Sequence, residues 1–171
     1  VEDNGSGIDR DDLPLALDRH ATSKLRTKDD LASIVSLGFR GEALASIGMV
    51  SRLQISSKPA GGAGACIVME DGVKSAIQPM GMGDGTLITV EHLFRNTPAR
   101  LAFQRRPETE TARIVDVVVD HALAHPGCAF HLRTEQRTLL NVPATDNMLD
   151  RLYDIMGAQA TELVPLQHVS Y

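Results

Sequence analysis

Residues 41–56, Gly41-Glu42-Ala43-Leu44-Ala45-Ser46-Ile47-Gly48-Met49-Val50-Ser51-Arg52-Leu53-Gln54-Ile55-Ser56, change their hydrophobic period part-way along. Leu44, Ala45 and Ile47 keep the spacing of a helix beginning near Gly41, whereas Arg52 to Ser56 alternates as a half-buried strand does. Helices are expected before this point and mostly strands after it. Upstream, Asp9 as N-cap with Leu13, Ala16 and Leu17 predicts a short helix to about Arg19. Thr27-Lys28-Asp29-Asp30 ahead of Leu31, Ile34 and Val35 predicts a second, ended by Gly38. Downstream, residues 65–70 and 73–78 flank Asp71-Gly72, a pair suited to a type I′ hairpin, and residues 87–90 form a further strand. Pro98 suits the first position of a short helix, and a longer one over 108–125 carries Ile114, Val117, Val118, His121 and Ala122 on one stripe, with His121 read as a core histidine. Residues 130–133 and 138–140 predict another hairpin, and 147–156 a last helix stopped by Gly157. The fold class is α+β, with helices covering one face of a largely antiparallel sheet.

Composition narrows the function classes. The chain has 171 residues, 43% of them hydrophobic, enough for a packed core without disulfide staples. No apolar run approaches the roughly 18 residues of a membrane span, so no membrane partner is expected. The net charge of −5 makes nonspecific grip on nucleic acid unfavourable for this chain by itself. Cys66 and Cys128 lack CxxC spacing and read as buried thiols of a reducing cytoplasm. Opening on Val1, almost directly into a Gly-rich turn, reads as a piece of a longer protein. The one expected boundary is near Pro143, dividing residues 1–143 from 144–171.

Three stretches carry polar chemistry. In Asp3-Asn4-Gly5-Ser6-Gly7 the carboxylate only accepts hydrogen bonds, which suits the exocyclic amino group of adenine and repels the oxygen of guanine. Gly5 and Gly7 let a planar base approach the backbone; a plain Asp/Gly surface turn is the alternative. Gly38-Phe39-Arg40-Gly41-Glu42-Ala43-Leu44 sets two glycines and an arginine at a helix start, where unpaired amides make an anion site suited to phosphate, or else one helix simply ends there as the next begins. Arg19-His20-Ala21-Thr22-Ser23-Lys24 gathers cations and hydroxyls on a loop that is either a polyphosphate lid or merely solvated. Gly85-Thr86 and Asn96-Thr97-Pro98-Ala99-Arg100 add a strand-end threonine and a polar turn. There is no GxxxxGK[ST] loop, GxGxxG after a strand, HExxH or paired-cysteine metal motif.

In this order, Asp3 to Ile8, RHATSK at 19–24, GFRGEAL at 38–44, Gly85-Thr86 and NTPAR at 96–100 resemble the MutL family of DNA mismatch repair ATPases. The Asp-x-Gly-x-Gly, helix-start and Gly-Thr elements are shared with gyrase-type topoisomerases, ATPase chaperones and histidine kinases, while the other segments favour MutL. The resemblance implies a Bergerat-type (GHKL) two-layer α/β sandwich with a mixed, largely antiparallel sheet, here lacking its first helix. It implies ATP as ligand, with Asp3 on the adenine amino group, Gly5 and Gly7 lining the base pocket and Thr86 supporting Asp3. Thr22, Ser23 and Lys24 would belong to the lid, and Gly38, Phe39, Arg40, Gly41 and Glu42 to the phosphate turn. Residues 144–171 would open a second, transducer domain.

The resemblance also implies which family residues fall outside these 171. The family's water-activating glutamate and Mg²⁺-binding asparagine precede the Asp-x-Gly-x-Gly turn, so a Mg²⁺ ligand is expected upstream and no catalytic residue is assigned; neither Glu2 nor Glu42 takes the base position. The 171 residues alone are therefore expected to hydrolyse no ATP measurably. The parent would use ATP to dimerise its N-terminal domains and to link a MutS-type mismatch recognition protein to later repair, touching DNA weakly and through the dimer. A nonenzymatic nucleotide-binding or interaction module is the alternative, with a gyrase-like or chaperone-like ATPase as a third.

Overall fold

The computed structural model describes residues 1–19 and 41–163; the helix expected over 27–38 lies outside them. The chain forms two compact units, Val1–Gln104 and Arg105–Tyr171.

In the first unit β1 (Glu2–Asp3) leads through a 3-10 turn to α1 (Leu13–Ala16). Then come α2 (Ala43–Gly48), β2 (Arg52–Lys58), β3 (Ala65–Glu70), β4 (Val73–Lys74), β5 (Gln78–Pro79), β6 (Gly85–Glu91) and α3 (Pro98–Ala102). The strands form one sheet in the order β1-β6-β2-β3-β4, with β5 also on β3, and every described pairing is antiparallel. The period change read at residues 41–56 is the passage from α2 into β2. On β2 and β3, Leu53, Ile55, Ala65, Ile67 and Met69 turn to one face, where they bury Leu13 and Leu17 and meet Leu44 and Ile47 of α2. Fully burying each large apolar side chain contributes about 1.5–3 kcal/mol, so this face holds the helices to the sheet. The β3–β4 turn has Asp71 at φ 50° and Gly72 at φ 87°, the mirror-image turn that its sequence predicts. The strand expected over 73–78 divides into β4 and β5, because the Ser75 hydroxyl takes the Val68 N–H at 3.0 Å in place of a ladder carbonyl. Asp9 sits at the start of the 3-10 turn and its side chain makes no capping bond.

The second unit comprises α4 (Pro107–Ala124), the hairpin β7 (Phe130–Arg133) and β8 (Thr138–Val142), α5 (Met148–Met156) and a closing 3-10 turn. Asn147 caps α5 by accepting the Leu149 N–H at 3.0 Å. Pro143, expected at a boundary, lies inside this unit, its carbonyl held by Arg151 at 2.8 Å. That fully buried guanidinium also donates to the carbonyls of Pro126 and Cys128, each at 2.7 Å, and lies over the Phe130 ring at 5.9 Å. It ties the end of α4, the approach to β7 and the exit of β8 to α5.

Two expectations fail here. His121 is exposed, as are Ile114 and Val117; the inward stripe of α4 is Val115, Val118, Val119 and Ala122. With apolar residues at five of the six positions from Ile114 to Val119, the apolar arc is wider than the buried face, and the stripe read from sequence is centred to one side of it. Cys66 is half-buried and Cys128 exposed rather than both being buried, because Cys66 occupies the β3 face opposite Ile67 and Cys128 the turn after α4.

Candidate functional site

The polar residues singled out near the start of the chain converge with two strands of distant sequence. Antiparallel register places Asp3 of β1 beside Thr86 of β6, and Thr86 beside Ser57 of β2. Paired residues share a face, so Asp3, Thr86 and Ser57 form a row across three strands, on the same face as Leu53 and Ile55, the one α2 covers. Asp3 stands at the exposed edge of this row, whereas Thr86 is 7% and Ser57 0% exposed.

Asp3 accepts the Gly5 N–H on Oδ1 at 2.9 Å, an Asx-type turn that orients the carboxylate. Among the described residues nothing donates to its other oxygen, Oδ2, which remains an open acceptor. Behind it, the Ser57 hydroxyl takes the Ile8 N–H at 2.8 Å and lies 3.0 Å from the Gly85 carbonyl and 2.9 Å from Thr86 Oγ1. Lys58 and Asp84 form an ion pair at 2.8 Å at the same end of the sheet.

Close backbone approach at two positions demands glycine. Gly7 has φ +71°, and a Cβ there would lie 2.4 Å from the Lys58 carbonyl oxygen. Gly85 has φ +121°, and a Cβ would lie 2.0 Å from the Asp3 carbonyl oxygen. These contacts hold the Asp3–Gly7 turn flat against β2 and β6. Gly5 is less confined: its Cβ would meet Asp3 Oδ1 at 3.0 Å.

Of the other residues picked from sequence, Gly41 (φ +62°) and Glu42, the residue preceding α2, lead into the six-residue helix on the same face of the sheet. Thr22, Ser23, Lys24, Gly38, Phe39 and Arg40 lie outside the described residues. The 96–100 turn is a fastening: Asn96 Nδ2 donates to the Met49 carbonyl at 2.9 Å, and Arg100 lies 5.9 Å over the Phe94 ring. Next to it Arg95 bridges Glu70 and Asp71, each at 2.7 Å. The hydrogen bond from Arg95 holds the Asp71 carboxyl below the ordinary carboxylate range, and the same bond raises Arg95. Sequence reasoning missed Ser57. The available signal was a hydroxyl two places after Ile55 and four after Leu53, where period two calls for another core residue.

Among the described residues no three His, Cys, Asp or Glu side chains cluster to hold a metal ion. No described helix is long and apolar enough to cross a membrane.

No family model matches the chain. Among curated proteins, it is 42% identical over 168 residues to the DNA mismatch repair protein MutL of Acidobacterium capsulatum, covering 97% of this chain and 25% of that protein. It is 47% identical over 162 residues to MutL of Trichlorobacter lovleyi, covering 94% and 27%. The chain thus spans about a quarter of the length of these relatives. Among solved structures, the Aquifex aeolicus MutL ATPase domain complexed with ADP matches with a TM-score of 0.69 at 26% identity, over 91% of this chain and 55% of that one. The N-terminal domain of a DNA repair protein shares the fold with a TM-score of 0.73 at 23% identity, over 94% and 47%. The architecture is that of the MutL GHKL ATPase domains. Over the portion of those proteins that it spans, the chain belongs to the MutL family of DNA mismatch repair proteins.

Proposed function

We propose that this chain binds the adenine ring of ATP at the Asp3–Thr86 row and forms the nucleotide-binding part of a longer MutL-type repair protein. The observation that carries the reading is the open Oδ2 of Asp3, an acceptor-only group fixed by the Gly5 amide at the edge of the helix-covered face. It suits the adenine amino group, and the Asp3–Gly7 turn, held close to the sheet by Gly7 and Gly85, leaves a thin wall for a flat base. The triphosphate would run toward Gly41 and Glu42 before α2, with Gly38, Phe39 and Arg40 completing the turn and Thr22, Ser23 and Lys24 the lid.

In the whole protein, ATP contacts made only in a closed state would order the lid and drive pairing of two N-terminal domains, a population shift powered by differential binding. That pairing would couple a mismatch recognition protein of MutS type to later repair in the cytoplasm, with DNA held weakly through the dimer. Residues 1–143 would serve as the ATPase part and 144–171 as the start of a transducer. Mg²⁺ would accompany the triphosphate.

Titration with a nonhydrolysable ATP analogue tests the pocket. Asp3→Ala removes a charge-assisted hydrogen bond of about 1.5–3 kcal/mol, so affinity should fall roughly tenfold or more. Equal affinities for wild type and variant would remove Asp3 from its role.

A further inference from the structure

We infer that Asn4 is a site of spontaneous deamidation and that the Asp3 carboxylate governs its rate, by holding the Gly5 amide that the reaction needs. The chemistry requires no nucleotide and stands apart from the binding reading above.

Of the four asparagines, Asn4 alone precedes a glycine, so no side chain on the following residue hinders approach of its amide nitrogen to the asparagine Cγ. The Gly5 nitrogen, having lost its proton to solvent base, attacks Asn4 Cγ. The new N–Cγ bond closes a five-membered succinimide, and the Cγ–Nδ2 bond breaks to release ammonia, its extra proton coming from water. A water molecule then adds to one of the two ring carbonyls and opens the ring. The products are aspartate, with the ordinary peptide link, or isoaspartate, with the main chain running through Cβ and Cγ. In sum, amide plus water gives acid plus ammonia, and nothing is oxidised or reduced.

The two reacting groups are held very differently. Asn4 is exposed, and among the described residues nothing holds its side chain. The Gly5 N–H, by contrast, is donated to Asp3 Oδ1 at 2.9 Å. Attack requires this charge-assisted bond to break, and it requires a proton to leave from beside a negatively charged, acceptor-only oxygen. Both raise the barrier, so Asp3 shields the Asn4–Gly5 link.

The turn has no room for the isoaspartyl product, whose main chain gains one atom between residues 4 and 5. At one end Gly85 lies so close that a Cβ there would come within 2.0 Å of the Asp3 carbonyl oxygen and 2.9 Å of Asn4 Cα. At the other, a Cβ on Gly7 would lie 2.4 Å from the Lys58 carbonyl oxygen. The added atom therefore lifts β1 from β6.

The test ages the protein at mildly alkaline pH and follows Asn4 by peptide mass mapping, with isoaspartyl methyltransferase counting the β-linked product. Asp3→Ala should speed the loss of Asn4 about fivefold or more, and Asp3→Asn, which keeps a neutral acceptor, should fall between it and wild type. In urea, where the turn is unfolded, the difference between wild type and Asp3→Ala should vanish. Equal rates in the folded proteins would overturn the inference, as would a difference that persists in urea. Should Asp3→Ala fail to fold, Asp3→Asn carries the test, and a wild-type rate there would overturn it equally. In the isoaspartyl fraction the Ile88 amide, bonded to the Val1 carbonyl at 2.7 Å, should lose its protection from hydrogen exchange; a protected amide would refute the displacement of β1.

Discussion

Replacing Gly85 with alanine perturbs the one place where the β1 and β6 backbones come too close for any side chain. The added Cβ would sit 2.0 Å from the Asp3 carbonyl oxygen and 2.9 Å from Asn4 Cα, both backbone atoms that no rotamer change relieves. The φ of +121° adds strain for an L-residue, about 1–3 kcal/mol. Relief requires β1 to move off β6, giving up one or two hydrogen bonds at about 0.5–1.5 kcal/mol each. Together these come to about 1.5–6 kcal/mol. Because β1 is a two-residue edge strand, it can detach locally while the core of Leu53, Ile55 and Ile67 stays packed, so much of this cost falls on opening β1 rather than on global unfolding. Hydrogen exchange reads it directly: the Ile88 amide, bonded to the Val1 carbonyl at 2.7 Å, should lose protection in Gly85→Ala. Affinity for an ATP analogue should drop about tenfold or more, since Asp3 leaves its place beside Thr86. Gly83→Ala is the control, for its Cβ would meet nothing within 4 Å, and both readouts should stay near wild type. A Gly85→Ala protein with a protected Ile88 amide and unchanged affinity would refute the claim that this contact holds the carboxylate.

Two further outcomes follow from the second unit and the hairpin. Arg151→Ala strips three carbonyls of their donor in a fully buried site and should destabilise the protein by about 3 kcal/mol or more in urea denaturation, with Arg151→Lys losing less; a change within 0.5 kcal/mol of wild type would show the guanidinium to be dispensable. The folded-state pKa of Asp71 lies below its unfolded value, so the stability it contributes is present above the ordinary carboxylate range and lost as pH falls through the lowered pKa. Carboxyl titration by NMR should show that low midpoint and its rise in Arg95→Ala; an unmoved midpoint would separate Asp71 from Arg95.

Much of this fold is legible in its sequence. Where local chemistry dominates, pattern and structure agree: the α2-to-β2 period change, the Asp71-Gly72 turn, Pro98 at a helix start and the last helix running from about residue 147 to Gly157 all depend on neighbours within a few residues. The α4 stripe was only partly legible, since its apolar arc is wider than the buried face and the part that turns inward is chosen by what packs on it. The Asp3 carboxylate and the Gly-Thr pair were also visible as residues, and order along the chain was enough to relate them to one family. What only the tertiary structure decided is the row itself. Residues 3, 57 and 86 become neighbours through strand register, which is set by backbone hydrogen bonds between distant segments and leaves no periodic trace in sequence. Ser57, a hydroxyl among core residues, acquires its meaning only there, because a buried donor matters through the partners that folding brings to it.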